Sequence, residues 1–184
     1  MHRPPPDAVR RGRLKLALLA LFFAAPFVLA WLAWWLDWAP GATSNYGELI
    51  TPARPLAGAP LERLRGKWVL VTFDAAACDA YCERKLYFMR QVRRAQGKDL
   101  ERVARLWVVT DGGQPRAALL AAIEGTVVEP GGAADARFPA AGALSDHIYV
   151  VDPLGNLMMR YPRDPDPSRM LKDLQRLLKL SGIG

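Results

Sequence analysis

The stretch GKWVLVTFDAAACDAYC, residues 66–82, joins an apolar run to the only two cysteines of the chain. Residues 67–73, KWVLVTF, are mostly apolar and rich in β-branched and aromatic side chains, which predicts a buried central strand. Cys78 and Cys82 follow closely, with three residues between them. This spacing fits a disulfide, a pair of metal ligands or a coincidence, so the chemistry of the pair must be decided from its surroundings.

The residues after the cysteines extend the strand into a parallel unit. Residues 83–97, ERKLYFMRQVRRAQG, place Leu86, Met89 and Val92 on one face, which predicts a helix that ends near a glycine. Residues 104–110, ARLWVVT, form a second apolar run. A strand, a helix and a strand in this order predict a βαβ unit with parallel strands.

The remainder of the chain completes an α/β order. We predict a second helix at residues 114–125 and a Gly/Ala/Pro-rich loop at residues 126–142. A β-hairpin that turns at DPLG follows at residues 147–161, and a last helix capped by Asp166 at residues 166–180. This order, with the cysteines between the first strand and its helix, is that of the thioredoxin fold. The sequence therefore predicts a thioredoxin-like domain.

The N-terminal region predicts a single transmembrane helix. Residues 16–36 contain no charge over 21 positions, which at about 1.5 Å per residue spans a bilayer core of about 30 Å. Five basic residues precede this segment and Asp37 follows it, so the positive-inside rule places the N-terminus in the cytoplasm. A cleaved signal peptide is the alternative, but its apolar region is normally only about 7–15 residues long.

The chain thus divides into four segments. We predict a cytoplasmic basic tail at residues 1–15 and a transmembrane helix at residues 16–36. A linker follows at residues 37–60, and an exported thioredoxin-like domain at residues 61–184. Of the formal charge of +7, residues 1–38 contribute +3, which leaves about +4 on the exported part. This mildly basic surface gives no indication of nucleic-acid binding.

Export places the cysteine pair where disulfides persist, so a structural bridge is the simplest interpretation. A disulfide that closes so short a loop stabilises a fold very little, so a redox or metal-binding role is favoured over a structural one. If both cysteines lie in the first helical turn, their sulfurs share one face and can bind one metal ion. A disulfide is also within reach after some backbone adjustment.

His147 is the histidine that we expect near the cysteines. The chain has only one other, His2, which lies on the cytoplasmic side in the predicted topology. His147 opens the predicted hairpin, at the end of the domain where a thioredoxin-like fold brings that loop toward the cysteine helix. Two thiolates and one imidazole suit copper(I), with copper(II) or zinc as alternatives. An ordinary loop histidine remains the other interpretation.

Two separate motifs together resemble one family. GKWVLVTFDAAACDAYC, followed much later by DHIYVVDPLGNL at residues 146–157, resembles the Sco/SenC family, membrane-anchored thioredoxin-like proteins of cytochrome c oxidase assembly. The resemblance spans residues 45–180 and includes the anchor. The chain departs from the family pattern at Asp79 and Glu83, where prolines are typical.

The resemblance implies that Cys78, Cys82 and His147 bind copper, most simply copper(I). It implies delivery of copper to the binuclear centre of the copper-bearing oxidase subunit, or reduction of that centre's cysteines beforehand. It also implies an anchor in a bacterial-type inner membrane with the domain in the periplasm. A thiol-disulfide reductase that transfers no metal, with Cys78 and Cys82 as its redox pair, stays open as the enzymatic alternative, and an interaction module with incidental cysteines as the third.

The remaining candidates have simpler explanations. Asp146 and Asp152 fit either outer-sphere support of His147 or ordinary turn formation. Paired methionines at 158 and 159 are soft ligands in principle, but we expect core positions. Arg90, Arg93 and Arg94 predict a solvated helix face, with a docking patch for an acidic partner as the alternative.

Overall fold

We describe a computed structural model, and the description covers residues 6–36, 45–56, 59–132, 137–139 and 142–182. The chain separates into two compact units, Met1–Thr43 and Ser44–Gly184. His2 and Asp37 lie outside the described residues.

The N-terminal unit contains one helix, α1, Pro6–Trp35, with Pro26 inside it. Its segment Arg10–Trp35 contains an 18-residue window with a mean hydropathy of 2.4 and is long and apolar enough to cross a membrane. Large side chains such as Phe22, Phe27 and Trp34 are exposed along it, and an exposed surface of this kind needs an apolar environment. The predicted helix over residues 16–36 is confirmed as a candidate membrane span.

The predicted βαβ unit is confirmed in the second unit. Strand β2, Trp68–Asp74, and strand β3, Val103–Val109, run parallel, and helix α3, Ala80–Arg94, connects them through a 3-10 turn at Gly97–Arg102. All seven residues of β2 are buried, which explains why this strand shows a continuous apolar run without alternation.

This unit is part of a six-stranded mixed sheet, in which β1 is Glu48–Pro55, β4 is Val127–Pro130, β5 is Ile148–Val151 and β6 is Asn156–Tyr161. The strand order is β1-β6-β5-β2-β3-β4. The predicted hairpin is formed by the antiparallel strands β5 and β6, and the predicted second and last helices are α4, Ala117–Ala122, and α5, Pro167–Leu180. The carboxylate of Asp166 accepts from the N–H groups of Ser168 and Arg169, so the predicted cap of α5 is confirmed.

Two predictions of irregular structure are wrong. Strand β1, Glu48–Pro55, and the short helix α2, Ala59–Arg63, lie within residues 37–60, which the sequence predicts to be a linker. Strand β4, Val127–Pro130, lies in the predicted loop at residues 126–142. Both strands are at sheet edges and contain proline, and β1 is mostly exposed whereas β4 is half-buried. They therefore lack the apolar pattern that identifies a central strand.

Apolar clusters fill both faces of the sheet. On one face α3 and α5 contribute Met89, Val92, Met170 and Leu174 to a cluster that also contains Met159. Met158 packs against the same cluster, so the expectation that the paired methionines are core residues is met. The opposite face carries an aromatic group formed by Phe73, Phe138 and Tyr149.

One buried charge stands in the central strands. Arg105 of β3 is 3% exposed, and only its Nη2 has a partner among the described residues, the carbonyl of Glu124, while Nε and Nη1 are buried without one. Burial, and then the charges of Arg93, Arg90 and Arg94, lower the pKa of Arg105 to about 10. At neutral pH the side chain is therefore a buried cation without a counter-charge in the described part of the chain, which opposes folding.

The predicted solvated face of α3 is only partly solvated. Arg94 is exposed, whereas Arg90 and Arg93 are half-buried. Arg93 donates to the carbonyl of Val103 at 2.6 Å and pairs with Glu101 at 3.2 Å. This arginine is therefore an anchor between α3 and the start of β3.

We expect the substitution Arg105→Met to stabilise the protein by about 1–3 kcal/mol, because it removes unpaired buried donors and retains an unbranched apolar stem. Urea unfolding of the full chain in detergent at pH 7 measures the change. Arg93→Met is the matched control and should destabilise the chain, since it breaks the bond to Val103. A comparable loss of stability in both variants would contradict the assignment of Arg105 as an uncompensated charge.

Candidate functional site

Cys78 and Cys82 are joined by a disulfide, with their Cα atoms 5.2 Å apart. Both side chains are nearly inaccessible, at 4% and 1% exposure. They lie in an apolar cluster with Leu86, Trp107 and Leu119, between α3, β3 and α4. The cysteines are therefore part of the domain's interior, not a bridge on its surface.

The condition that both cysteines lie in the first turn of the helix, considered above for a shared metal ion, is not met. Helix α3 begins at Ala80, and Asp79 is its N-cap, accepting from the N–H of Cys82 at 2.8 Å. Cys78 precedes the cap and has a φ of 43°, in the left-handed region. The Cα separation of 5.2 Å lies within the usual disulfide range of about 4.4–6.8 Å, in line with the expectation that a disulfide is within reach after backbone adjustment. Asp79, a departure from the Sco/SenC pattern, thus has a capping role.

Two residues that sequence reasoning missed support the loop before Cys78. Asp111, just after β3, accepts from the N–H groups of Ala76 at 3.0 Å and Gly113 at 3.1 Å. These bonds lower the pKa of Asp111, so its support is complete above about pH 3.8 and is lost as the pH falls through the lowered value. Arg116 donates to the carbonyl of Cys78 at 3.3 Å.

The contact between Asp111 and the cysteine loop has a signal in the sequence. Because β2 and β3 are parallel neighbours, their carboxyl ends lie at one edge of the sheet, where the cysteine loop also begins. A Cβ at Gly113 would lie 2.8 Å from the Cβ of Ala76, so the close approach of the two loops requires glycine there. The Asp-Gly-Gly turn after a predicted parallel strand could have indicated this contact.

His147 lies at the start of the hairpin, 9% exposed, with Nδ1 2.8 Å from the carbonyl oxygen of Tyr161. A carbonyl only accepts, so in this contact Nδ1 carries the proton, and Nε2 of the neutral ring keeps its lone pair. Nε2 is buried and has no hydrogen-bond partner among the residues that the structure describes. An anchored Nδ1 and a free Nε2 are typical of a histidine that binds a metal.

The segment that carries His147 is bound to the cysteine helix. Residues Leu144–Asp146 form a 3-10 turn that ends at His147. The hydroxyl of Tyr81 donates to the carbonyl of Asp146 at 3.0 Å, and Nζ of Lys85 donates to the carbonyl of Ser145. Helix α3 therefore carries Cys82 and also binds the histidine segment, through Tyr81 and Lys85.

Lys85 also forms a buried ion pair with Asp74, the last residue of β2, at 2.9 Å. Thr72 donates to the second carboxylate oxygen at 2.9 Å. Burial raises the pKa of Asp74 although Lys85 and Thr72 lower it, and burial lowers the pKa of Lys85 although Asp74 raises it. The pair ties the end of β2, the middle of α3 and the histidine segment together.

The structure brings Cys78 and Cys82 together but does not group them with His147. Within the described ranges, no three His, Cys, Asp or Glu side chains are arranged to hold a metal ion. The sulfurs are oxidised and must be reduced before they can act as ligands. The lone pair of Nε2 fits a soft or borderline metal, so the assignment of these three residues as ligands stays a prediction.

The neighbouring acidic residues have structural roles. Asp152 accepts from the N–H groups of Leu154 and Asn156 in the hairpin turn. Asp146 accepts from the N–H of Ala143 and lies 3.7 Å from Arg163. Of the two interpretations of these carboxylates, turn formation is the one that the contacts support.

Residues 68–181 match the family model described as transmembrane-like, thioredoxin-like, C-terminal domain. Because the match covers more than half of the chain, the protein belongs to this family. The predicted thioredoxin-like fold is confirmed. Together with helix α1, the match supports a single-pass membrane anchor.

Among solved structures the similar ones include Sco1 proteins. The apo Sco1 protein from Thermus thermophilus has a TM-score of 0.54 and 22% identity, over 74% of this chain and 99% of that one. Yeast Sco1 with copper bound has a TM-score of 0.56 and 16% identity, over 66% of this chain and 84% of that one. No curated protein matches the sequence. The resemblance to Sco proteins is confirmed as a likeness of fold, and the low identity fits a divergent member.

Proposed function

We propose that this protein is a membrane-anchored copper-binding assembly factor for cytochrome c oxidase. Cys78, Cys82 and His147 bind copper(I). The protein either delivers this copper to the binuclear centre of the copper-bearing oxidase subunit or prepares that centre to receive it. The observation that carries this proposal is the anchored imidazole of His147, whose buried Nε2 has no other partner in the described part of the chain. The fold likeness to a Sco1 protein with copper bound supports it.

The redox state of the cysteines controls binding in this proposal. Reduction of the disulfide by a dithiol donor adds two electrons and two protons and yields two thiols. Binding of copper(I) then displaces the thiol protons, because the thiolate is the ligand. Two thiolates and a neutral imidazole are a donor set that suits copper(I).

A thiol-disulfide reductase is the second candidate, favoured by the disulfide itself. The thiolate of one cysteine would attack a partner's disulfide and form a mixed disulfide, which the other cysteine would resolve, so that the partner gains two electrons and this pair is oxidised. Cys78, outside the helix and the less buried of the two, is the better placed to attack. His147 has no role in this reaction.

The orientation of the anchor is part of the proposal. Five basic residues precede the uncharged residues 16–36 of the membrane segment, and the positive-inside rule then puts the N-terminus in the cytoplasm. The domain Ser44–Gly184 then lies in the periplasm of a bacterial-type inner membrane, where an oxidase subunit can be reached.

We expect the reduced full chain in detergent to bind one equivalent of copper(I), and His147→Ala to weaken binding by at least about 100-fold, or about 2.7 kcal/mol. Competition titration with a copper(I) chelator measures the affinity. His2→Ala is the matched control and should bind as the wild type does. Equal affinity in His147→Ala and the wild type would remove His147 from the ligand set.

For the reductase alternative we expect Cys82→Ser to trap a mixed disulfide with the oxidised, copper-free oxidase subunit, since the resolving thiol is absent. Non-reducing electrophoresis detects the adduct. Cys78→Ser is the control and should give much less of it, and His147→Ala should leave the reduction potential of the pair unchanged. Failure to trap any adduct would exclude exchange with this partner.

For the orientation we expect alkaline phosphatase fused after Gly184 to be active in a bacterial host, because its disulfides form only after export. The same enzyme fused after Lys15, before the uncharged residues 16–36, is the control and should be inactive. An inactive C-terminal fusion in stably expressed protein would reverse the proposed topology.

A further inference from the structure

Tyr81 stands between the two cysteines and contacts the histidine segment. Its hydroxyl donates to the carbonyl of Asp146, the residue directly before His147, at 3.0 Å. The same hydroxyl accepts from the N–H of Asp164 at 3.3 Å. One side chain inside the disulfide loop therefore joins helix α3 to the two segments that flank the β5–β6 hairpin.

The ring of Tyr81 is held in place by surrounding cations. Nζ of Lys85 lies 4.9 Å from the ring centroid, and the guanidinium carbons of Arg84 and Arg163 lie at 5.4 Å and 5.5 Å. The hydroxyl therefore reaches Asp146 from a ring that three cations approach.

His147 takes its position from contacts on both sides. Its N–H donates to the carbonyl of Leu144 at 3.3 Å, and its Nδ1 contacts the carbonyl of Tyr161. Tyr81 binds the intervening backbone at Asp146. Lys85 binds the same turn at Ser145 but is also the partner of buried Asp74. Of these two contacts of α3, the one made by the Tyr81 hydroxyl can therefore be removed without leaving a buried charge unpaired.

We propose that Tyr81 is a positioning residue that holds His147 in place for metal binding with the cysteine pair, through its hydroxyl bond to the carbonyl of Asp146. This inference rests on the proposed copper function. It links the loop that carries the thiolates to the segment that carries the imidazole. Loss of the hydroxyl should release the histidine segment while the cysteines keep their own support from Asp79 and Asp111.

A double-mutant cycle tests the proposal. Tyr81→Phe removes only the hydroxyl, and in the reduced full chain it should weaken copper(I) binding about fivefold, the worth of one net hydrogen bond. In the His147→Ala background the same substitution should have no effect. Tyr87→Phe, at an exposed tyrosine of the same helix, is the control and should leave the affinity unchanged. An equal loss in both backgrounds, or no loss in either, would overturn the proposal.

A metal-free measurement separates this inference from the copper function. Hydrogen exchange at the backbone N–H of His147, in the reduced chain without copper, should be about fivefold faster in Tyr81→Phe than in the wild type. Unchanged exchange would overturn the positioning role whatever the chain binds. If the wild type binds no copper(I), the proposed function fails, while the exchange rates still decide whether Tyr81 holds the histidine segment.

Discussion

The site depends on the buried ion pair between Asp74 and Lys85. It joins the end of β2 to α3, and Lys85 extends the connection to the carbonyl of Ser145. Burial shifts the pKa of each partner toward its neutral form, so mutual attraction does not fully offset desolvation. Loss of either partner alone would leave an uncompensated buried charge, so removal of one partner is more destabilising than the pair itself is stabilising. This constraint fixes where the cysteine helix and the histidine segment lie.

The same helix gives the two cysteines different surroundings. Cys82 is inside α3, with its N–H bound to the carboxylate of Asp79, whereas Cys78 lies before the cap in a left-handed conformation. The positive end of a helix favours a thiolate, but at this helix end the anionic cap already occupies that position. Arg116 donates to the carbonyl of Cys78, but its charge is already paired with the carboxylate of Glu83. Asymmetry of this kind suits a pair with one attacking and one resolving thiol, and it does not prevent both from binding one metal ion.

The sequence predicted the elements whose signals are local. Apolar runs identified β2 and β3, the DPLG turn identified the hairpin, and Asp166 identified the start of α5. The edge strands β1 and β4 were missed because pairing at one side of a sheet imposes little apolar pattern. Lys85 could not be distinguished from its neighbour Arg84 by sequence, since its burial depends on Asp74 and on Ser145, 60 positions away. The three proposed ligands were named from the sequence, but the oxidised state of the cysteines was left open.

The imidazole of His147 is oriented by contacts that do not involve the cysteines. Its Nδ1 is fixed by the carbonyl of Tyr161 at the end of β6, so the ring does not depend on the disulfide for its direction. A buried Nε2 without a partner in the described chain costs about 1–3 kcal/mol in the folded state. In the proposed function a metal ion would satisfy this nitrogen, and the cysteines could join it as ligands only after the disulfide is reduced to thiols.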